Sequence, residues 1–257
     1  MKSMNEKRFT GKAELYRKYR PSYPVELINY LFTEVGFSID SIIADIGAGT
    51  GILTKLLLDR GSKVFAVEPN VDMRKVSIDD LSEYKNFVSI NATAENTGLH
   101  DKSVDFVTTA TAFHYFDRQL FKRECQRILR PGGKSVIIWN NTDDETDIIR
   151  KCNKLIDKYR IDDNSVYERS GNNSEFSDIF VNGMYAQKIF RNDIYENREH
   201  FIGGTLSAGF SPNEDDHPEK YYGYVRELNE LFDEYSVDDM LTFPHITKSY
   251  AGVMVAN

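Results

Sequence analysis

The chain has 257 residues, 40% of them hydrophobic, which is enough to bury a substantial core within one domain. Its formal net charge of −8 argues against a general nucleic-acid binder, which would normally present a basic face. Cys125 and Cys152 are too few for a disulfide framework or a metal site and favour free thiols in a reducing cytoplasm. No apolar run approaches the ~20 residues that a membrane-spanning helix needs. The sequence therefore predicts a soluble, cytoplasmic protein with no metal, nucleic acid or membrane as partner.

The first twenty residues are locally basic, with seven Lys or Arg against Glu6 and Glu14. Most of these cations are expected on the solvated face of a helix. A segment rich in Tyr, Arg and Pro overlaps the end of this region and runs from Tyr16 to Pro24. Residues 25–35 then carry apolar side chains at helical spacing and end at a glycine, which predicts an amphipathic helix.

Residues 42–70 read as a strand, a glycine-rich turn, a helix and a second strand. The first strand is followed by three glycines at alternating positions, Gly47, Gly49 and Gly51. Glycine lets the backbone turn sharply and lets a ligand approach main-chain N–H groups with no Cβ in the way. Because a leucine-rich helix pattern follows, these glycines are expected at a helix N-terminus. The second strand delivers Glu68 to the edge where open α/β sheets bind ligands.

Two kinds of cofactor bind at such a turn, and position 52 helps to distinguish them. The dinucleotide fingerprint G-x-G-x-x-G/A requires Gly or Ala there, whereas this chain has Ile52. From Asp45 the sequence reads D-x-G-x-G-x-G, which resembles motif I of the class I S-adenosylmethionine-dependent methyltransferases. Glu68, which stands 21 positions after Gly47, suits an acceptor for the two ribose hydroxyls. A nicotinamide or flavin cofactor, and a turn whose glycines serve packing alone, are the alternatives.

The resemblance covers roughly residues 40–141 and is closest to small-molecule methyltransferases such as the trans-aconitate and ubiquinone-biosynthesis enzymes. It implies a Rossmann-like, doubly wound α/β sheet of seven strands, mostly parallel with the last strand antiparallel. It also implies S-adenosyl-L-methionine as cofactor. The expected division is an N-terminal helical cap at 1–36, a cofactor-binding core at 37–141, and lid helices with the last two strands at 142–257, all within a single methyltransferase domain.

By the same resemblance, the cofactor lies against the turn, the strand ends and the N-terminal segment. Met73 would contact the adenine, with the turn 91–95 at its edge, although a polar Asn-Ala-Thr run replaces the family's aspartate and an ordinary surface turn is the alternative. The Arg20 guanidinium would be available to the methionyl carboxylate, the alternative being a purely structural lid. The implied cofactor-binding residues are Tyr19, Arg20, Asp45, Gly47, Ala48, Gly49, Thr50, Gly51, Glu68, Pro69, Asn70, Met73, Ala94, Glu95, Thr111 and Ala112.

Residues 101–117 predict a fourth strand, and the resemblance implies that its carboxyl end lies near the site of transfer. His114 follows it and is a candidate general base or substrate contact, because imidazole titrates near neutral pH; a cofactor contact and a structural hydrogen bond are its alternatives. A helix, the turn Leu129–Gly133 and a fifth strand come next, and the proline and glycines of that turn are interpreted as structural. The candidate substrate residues are Tyr16, Tyr23, His114, Trp139, Asn140 and Phe201.

Beyond residue 141 the pattern predicts further helices and two strands, and little chemistry apart from Phe201, in a helix or loop expected to line the pocket. The predicted elements are helices at 143–159, 175–180 and 219–235, a helix or loop at 200–206, a strand at 187–195, and a last strand at 240–255 that is broken at Pro244. The reaction implied by the family is in-line methyl transfer to a small-molecule acceptor, by a monomer or homodimer. Two alternatives stay open: a nicotinamide- or flavin-dependent oxidoreductase, and a regulatory protein that binds the cofactor without catalysis.

Overall fold

The computed structural model describes residues 11–161 and 176–254, which form a central seven-stranded sheet flanked by helices. Two further short strands, Ile194–Glu196 and Leu241–Phe243, pair with each other outside this sheet. The strands in chain order are β1 (Ile42–Ile46), β2 (Lys63–Val67), β3 (Phe87–Ile90), β4 (Val104–Ala110), β5 (Leu129–Thr142), β6 (Ala186–Arg191), β7 (Ile194–Glu196), β8 (Leu241–Phe243) and β9 (His245–Val253).

Capping residues and glycines set several of the helix ends. Asn70 and Asp117 each accept two backbone N–H hydrogen bonds at a helix N-terminus, and Gly36, with φ of 106°, ends the helix before β1. The helices are α1 (Ala13–Tyr19), α2 (Val25–Tyr30, continued by a π-helical segment, Leu31–Val35), α3 (Ile52–Asp59), α4 (Val71–Leu81), α5 (Arg118–Ile128), α6 (Asp147–Tyr159), α7 (Arg198–Leu206) and α8 (Pro218–Tyr235).

The strand order in the central sheet is β3-β2-β1-β4-β5-β9-β6. Strands β1 to β5 are parallel, and β9 lies between β5 and β6 and runs antiparallel to both. The predicted doubly wound sheet of seven strands with an antiparallel last strand is confirmed. The order reverses between β1 and β4, which places a ligand crevice at the carboxyl ends of these two strands.

Apolar side chains fill both faces of the sheet. Leu27 of α2 and Leu57 of α3 are fully buried in the cluster on one face, and Phe121 of α5 is fully buried in the cluster on the other. A third cluster joins α6, α7 and α8 and includes Phe201 and Leu228. The side chains of this third cluster pack against one another. Helices α6, α7 and α8, called here the inserted helices, therefore form a separate layer beside the sheet.

Helix α1 connects the sheet domain with this inserted layer. Arg17 donates to Asp80 of α4 through two nitrogens, at 2.8 and 2.5 Å. On the other side, Lys18 and the Tyr19 hydroxyl donate to the Glu199 carboxylate of α7 at 2.6 and 2.8 Å. Helix α1 is therefore attached to α4 on one side and to α7 on the other.

Several predicted element bounds differ from the structure. The helix predicted from 143 begins at Asp147, because β5 continues to Thr142 and a turn intervenes, with the Thr146 N–H donating to the Asp143 carbonyl at 3.2 Å. The strand predicted at 187–195 is two strands, β6 and β7. The break predicted at Pro244 separates β8 from β9. The helix predicted at 175–180 lies partly outside the described residues, and residues 176–180 are not an α-helix.

Candidate functional site

The three glycines of the turn all have positive φ values, but they serve different purposes. A Cβ on Gly47 would lie 2.6 Å from the Cβ of Ala112, and one on Gly51 would lie 2.7 Å from Leu81 Cδ1. Both positions therefore exclude side chains because protein atoms pack against them. A Cβ on Gly49 would meet no atom within 4 Å, so this backbone faces open space at the crevice.

The Glu68 carboxylate is held beside that open backbone. Its Oε2 accepts from the Gly49 N–H at 2.9 Å and its Oε1 accepts from the Asn70 N–H at 2.8 Å. Burial raises the pKa of Glu68, and these two backbone donors oppose the rise. Each carboxylate oxygen retains acceptor capacity for a ligand hydroxyl.

Asp45 lies deeper at the carboxyl end of β1 and is 1% exposed. Its two oxygens accept from the hydroxyls of Thr54, at 2.6 Å, and Thr108, at 2.8 Å. Burial raises the pKa of Asp45 to about 6 despite these donors. This carboxyl connects β1 with α3 and β4 and so supports the floor of the crevice.

A cavity of about 150 Å³, called here the turn cavity, lies over the turn and the ends of β1, β2 and β4. It brings together most of the predicted cofactor residues, and also Tyr16 and Tyr23, which were predicted to contact substrate. The third glycine of the turn, Gly51, does not line the cavity and packs against Leu81 instead. The predicted residues that line the turn cavity are Tyr16, Tyr23, Asp45, Gly47, Ala48, Gly49, Thr50, Glu68, Pro69, Asn70, Met73, Ala94, Glu95, Thr111 and Ala112.

A second cavity, of about 420 Å³, lies between the sheet edge and the inserted helices and is called here the lid cavity. Among its lining residues are Tyr19 and Arg20, predicted to hold the cofactor, and Asn140 and Phe201, predicted to contact substrate. The cavity is bounded by residues from α1, α6, α7 and the start of β9. Sequence reasoning did not anticipate two separate cavities.

The two cavities adjoin at the ends of β4 and β5. The backbone N–H of Asn140, in the lid cavity, donates to Thr111 Oγ1, in the turn cavity, at 3.4 Å. Tyr23 also hydrogen-bonds to the Thr111 side chain. Arg20 lies in the lid cavity with its guanidinium 5.1 Å from the centre of the Tyr16 ring, which lines the turn cavity. A group bound at Arg20 is therefore within reach of both cavities.

The Asn140 carboxamide is largely committed to structural hydrogen bonds. Its Oδ1 accepts from Thr247 Oγ1 at 2.9 Å and from Asn192 Nδ2 at 3.1 Å, and its Nδ2 donates to the Ser22 carbonyl at 3.4 Å. These contacts attach the segment after α1 to the sheet edge. The structure thus gives this predicted substrate residue a positioning role in the wall between the cavities.

His114 and Trp139, two further predicted site residues, lie together but line neither cavity. The His114 ring is exposed and stacks on the Trp139 ring, with centroids 5.1 Å apart and planes at 25°. Trp139 is 4% exposed and packs in the core between the sheet and α5. Neighbouring residues of a strand face opposite sides of the sheet, so Trp139 lies in the core while the next residue of β5, Asn140, lines the lid cavity.

Sequence reasoning missed three buried polar residues near the lid cavity. Glu196 of β7 and His245 of β9 line it. The Lys12 ammonium donates to the carbonyls of Ala208 and Ser211 at 2.9 and 2.7 Å, and burial lowers its pKa to about 8. Glu196 and His245 were each a single charged or polar residue in a short strand pattern, and Lys12 was one of the N-terminal cations expected on a solvated helix face. Neither pattern by itself predicts burial.

Within residues 11–161 and 176–254, no helix is long and apolar enough to cross a bilayer. No group of three or more His, Cys, Asp or Glu side chains in them is placed to hold a metal ion.

Part of the chain is similar to a known family of protein domains. Residues 44–137 match the family described as methyltransferase domain. An uncharacterized methyltransferase of Mycobacterium tuberculosis is 38% identical over 141 residues, which is 55% of this chain and 55% of that protein. One from Schizosaccharomyces pombe is 31% identical over 156 residues, 60% of this chain and 61% of that protein. The chain thus spans about half the length of the curated relatives it matches.

Solved structures share the fold over nearly the whole chain. A candidate type II methyltransferase from Anaeromyxobacter dehalogenans has a TM-score of 0.66 at 18% identity and covers 93% of this chain and 100% of its own. Phosphoethanolamine N-methyltransferase 2 of Haemonchus contortus, in complex with phosphomonomethylethanolamine and S-adenosylhomocysteine, has a TM-score of 0.53 at 16% identity, covering 93% of this chain and 54% of its own. Residues 44–137 are therefore similar to a methyltransferase domain, and the chain shares the Rossmann-like fold of these solved methyltransferases.

Proposed function

We propose that this chain is an S-adenosylmethionine-dependent methyltransferase that methylates a small-molecule acceptor. The observation that carries the proposal is the Glu68 carboxylate, held by the N–H groups of Gly49 and Asn70 at the wall of the turn cavity. A fixed carboxylate of this kind binds two neighbouring ribose hydroxyls by charge-assisted hydrogen bonds. The solved structure from Haemonchus contortus, which shares the fold, is described as a complex with S-adenosylhomocysteine, the demethylated cofactor.

The lining of the turn cavity fits an adenosyl group. Its polar part includes Glu68, the open backbone at Gly49, and Thr50, whose buried hydroxyl has no hydrogen-bond partner within the described chain. Its apolar part includes Met73, 3% exposed, and Ala94, 6% exposed. A sugar therefore suits one part of the cavity and an adenine ring the other.

The remaining binding group is Arg20, the cation at the junction of the two cavities. Its Nε is buried and without a partner among the residues described, so a carboxylate placed there would satisfy it. We assign Arg20 to the methionyl carboxylate. When bound, the cofactor supplies a methyl group already activated by a positively charged sulfur.

The protein's own contribution is to hold an acceptor in line with that methyl group and to exclude water. Orientation of this kind can lower a barrier by several kcal/mol. Helices α1 and α7 cover the lid cavity through Lys18, Tyr19 and Glu199. The division into a cap at 1–36, a core at 37–141 and a lid with the last strands at 142–257 is our proposal for how these tasks are distributed.

The lid cavity also bears on the alternative of a non-catalytic binding protein. Such a protein needs a cofactor site but no second cavity beside it. The lid cavity, of about 420 Å³, adjoins the turn cavity and lies within the size range of small-molecule pockets. We therefore favour the enzyme. The subtype, resembling trans-aconitate and ubiquinone-biosynthesis enzymes, stays a prediction.

Thermal unfolding of the purified protein tests the cofactor assignment. S-adenosylhomocysteine, S-adenosylmethionine or NADH is added at about 1 mM; a ligand at ~100 times its dissociation constant stabilises the folded state by about 2.7 kcal/mol. We expect both adenosyl compounds, and not NADH, to raise the midpoint temperature of unfolding. A rise with NADH alone would refute the proposal. Transfer of labelled methyl groups to an acceptor in a cell extract separates an enzyme from a binding protein.

A further inference from the structure

A buried carboxylate and a buried imidazole face the lid cavity and have no role in the cofactor site as assigned above. Glu196, the last residue of β7, and His245, the first residue of β9, are each 8% exposed, and both line the cavity. Within the described ranges no hydrogen bond to the Glu196 carboxylate is found; Arg20 influences it through charge alone. A buried carboxylate without donors is costly unless a ligand supplies them.

The protonation state of His245 follows from its contacts. Its Nδ1 lies 3.0 Å from the Phe243 carbonyl oxygen, which can only accept. Nδ1 therefore carries the proton, and Nε2 of the neutral ring is an acceptor. Burial lowers the pKa of His245, which keeps the ring neutral at pH 7.

Charge in the lid cavity favours a cationic ligand. Five carboxylates and three Lys or Arg side chains line it. Desolvation raises the pKa of Glu196 to about 7, against the opposing effect of Arg20. A group with this pKa exchanges a proton readily at neutral pH.

We propose that Glu196 and His245 bind the nucleophilic nitrogen of the methyl acceptor, and that this acceptor is a small primary or secondary amine. The inference rests on the proposed methyltransferase function. Two acceptors that line one cavity match the ammonium form of such an amine, which has three N–H donors if primary and two if secondary. An alcohol supplies one donor, and a carboxylate supplies none at neutral pH.

The transfer step balances with these groups. Glu196 accepts one proton from the ammonium form, which leaves a lone pair on nitrogen. That lone pair forms the N–CH₃ bond as the S–CH₃ bond breaks, and the electrons of the broken bond stay on sulfur. The positive charge moves from sulfur to the methylated nitrogen, whose remaining N–H groups still have His245 as an acceptor.

Binding measurements test the inference without turnover. The protein is first titrated with S-adenosylhomocysteine by calorimetry; absence of binding would overturn the proposed function and this inference with it. With that ligand saturating, three probes of one shape are compared: phenethylamine, 2-phenylethanol and 3-phenylpropionate. We expect phenethylamine to bind at least about fivefold more tightly than the other two, since it alone offers donors to both acceptors.

Variants then assign the contact. Glu196→Gln should weaken phenethylamine binding by at least about tenfold without weakening the binding of S-adenosylhomocysteine, because loss of a negative charge beside Arg20 does not disfavour a carboxylate there. Glu230→Gln is the matched control, because Glu230 is exposed on α8 and lines neither cavity. Preference for 3-phenylpropionate or 2-phenylethanol, or no amine binding beside intact S-adenosylhomocysteine binding, would overturn the amine assignment and leave the proposed function standing. The ranking on the unaltered protein decides this even where Glu196→Gln does not fold.

Discussion

Replacement of Glu68 by Gln tests the proposed cofactor site at its most specific contact. The substitution keeps the size of the side chain but removes its charge and turns one oxygen into an N–H donor. In the structure, the two oxygens of Glu68 accept from the N–H groups of Gly49 and Asn70, at 2.9 and 2.8 Å. An amide has one oxygen, so one of these two N–H groups must face the new NH₂ group.

The size of the effect can be worked from these contacts. A hydrogen bond to a charged group contributes about 1.5–3 kcal/mol, and the ribose hydroxyls would lose the charge-assisted part of theirs. Because 1.4 kcal/mol is a factor of ten in a dissociation constant, Glu68→Gln should weaken S-adenosylhomocysteine binding roughly ten- to a hundredfold. Glu68→Ala removes both acceptor oxygens and should weaken it by more than about tenfold as well, with an added loss of folding stability because the backbone donors lose their partners.

Isothermal titration calorimetry measures the affinity, and urea unfolding without ligand measures the stability separately. Glu83→Gln is the control, since Glu83 is exposed and lines neither cavity. If folded Glu68→Gln binds S-adenosylhomocysteine within about twofold of the unaltered protein, the assignment of Glu68 to the ribose is wrong.

Three further predictions concern the floor, the cap and the surface of the site. Because burial raises the pKa of Asp45 from 3.8 to about 6, its contribution to the free energy of unfolding is present below pH 3.8 and is lost as the pH rises through 6. Asp45→Asn should remove this dependence, on the order of 3 kcal/mol, from urea unfolding curves recorded across that range. A Cβ on Gly203 would lie 2.6 Å from the Tyr19 ring, whereas one on Gly204 would have its nearest contact at 3.4 Å; Gly203→Ala should therefore lower stability by about 1–3 kcal/mol and weaken S-adenosylhomocysteine binding, and equal effects of Gly204→Ala would contradict this account of the cap. His114→Ala should leave calorimetric affinity for S-adenosylhomocysteine within about twofold, since the ring lines neither cavity; a larger loss would show that His114 approaches the cofactor.

Local sequence was sufficient to predict the parts of the site that depend on backbone conformation and on short connections between elements. The glycine turn, the helix after it and Glu68 at the end of the next strand are all separated by few residues. The strand and helix patterns leave few ways to join them, because parallel strands require right-handed crossovers. For this reason the sheet and the lining of the turn cavity followed from the order of the elements.

The residues that line the lid cavity could be identified only from the tertiary structure. Glu196 and His245 are separated by 49 positions and meet Arg20 only because β7, β9 and the segment after α1 converge on the same space. Burial of a charged residue depends on what packs around it, and neither Glu196 nor Lys12 carries a local pattern that specifies those neighbours.

The opposite placements of Asn140 and Trp139 show the same division between local and tertiary information. The sequence located both at the carboxyl end of a strand, and strand geometry requires adjacent side chains to face opposite sides. Only the packed sheet shows which side is the core: Trp139 lies between the sheet and α5, and Asn140 lies in the wall between the two cavities. Sequence determined that a glycine turn exists and where it begins; the packing of distant elements against it determined which side chains line the two cavities, because burial and proximity are properties of the whole fold.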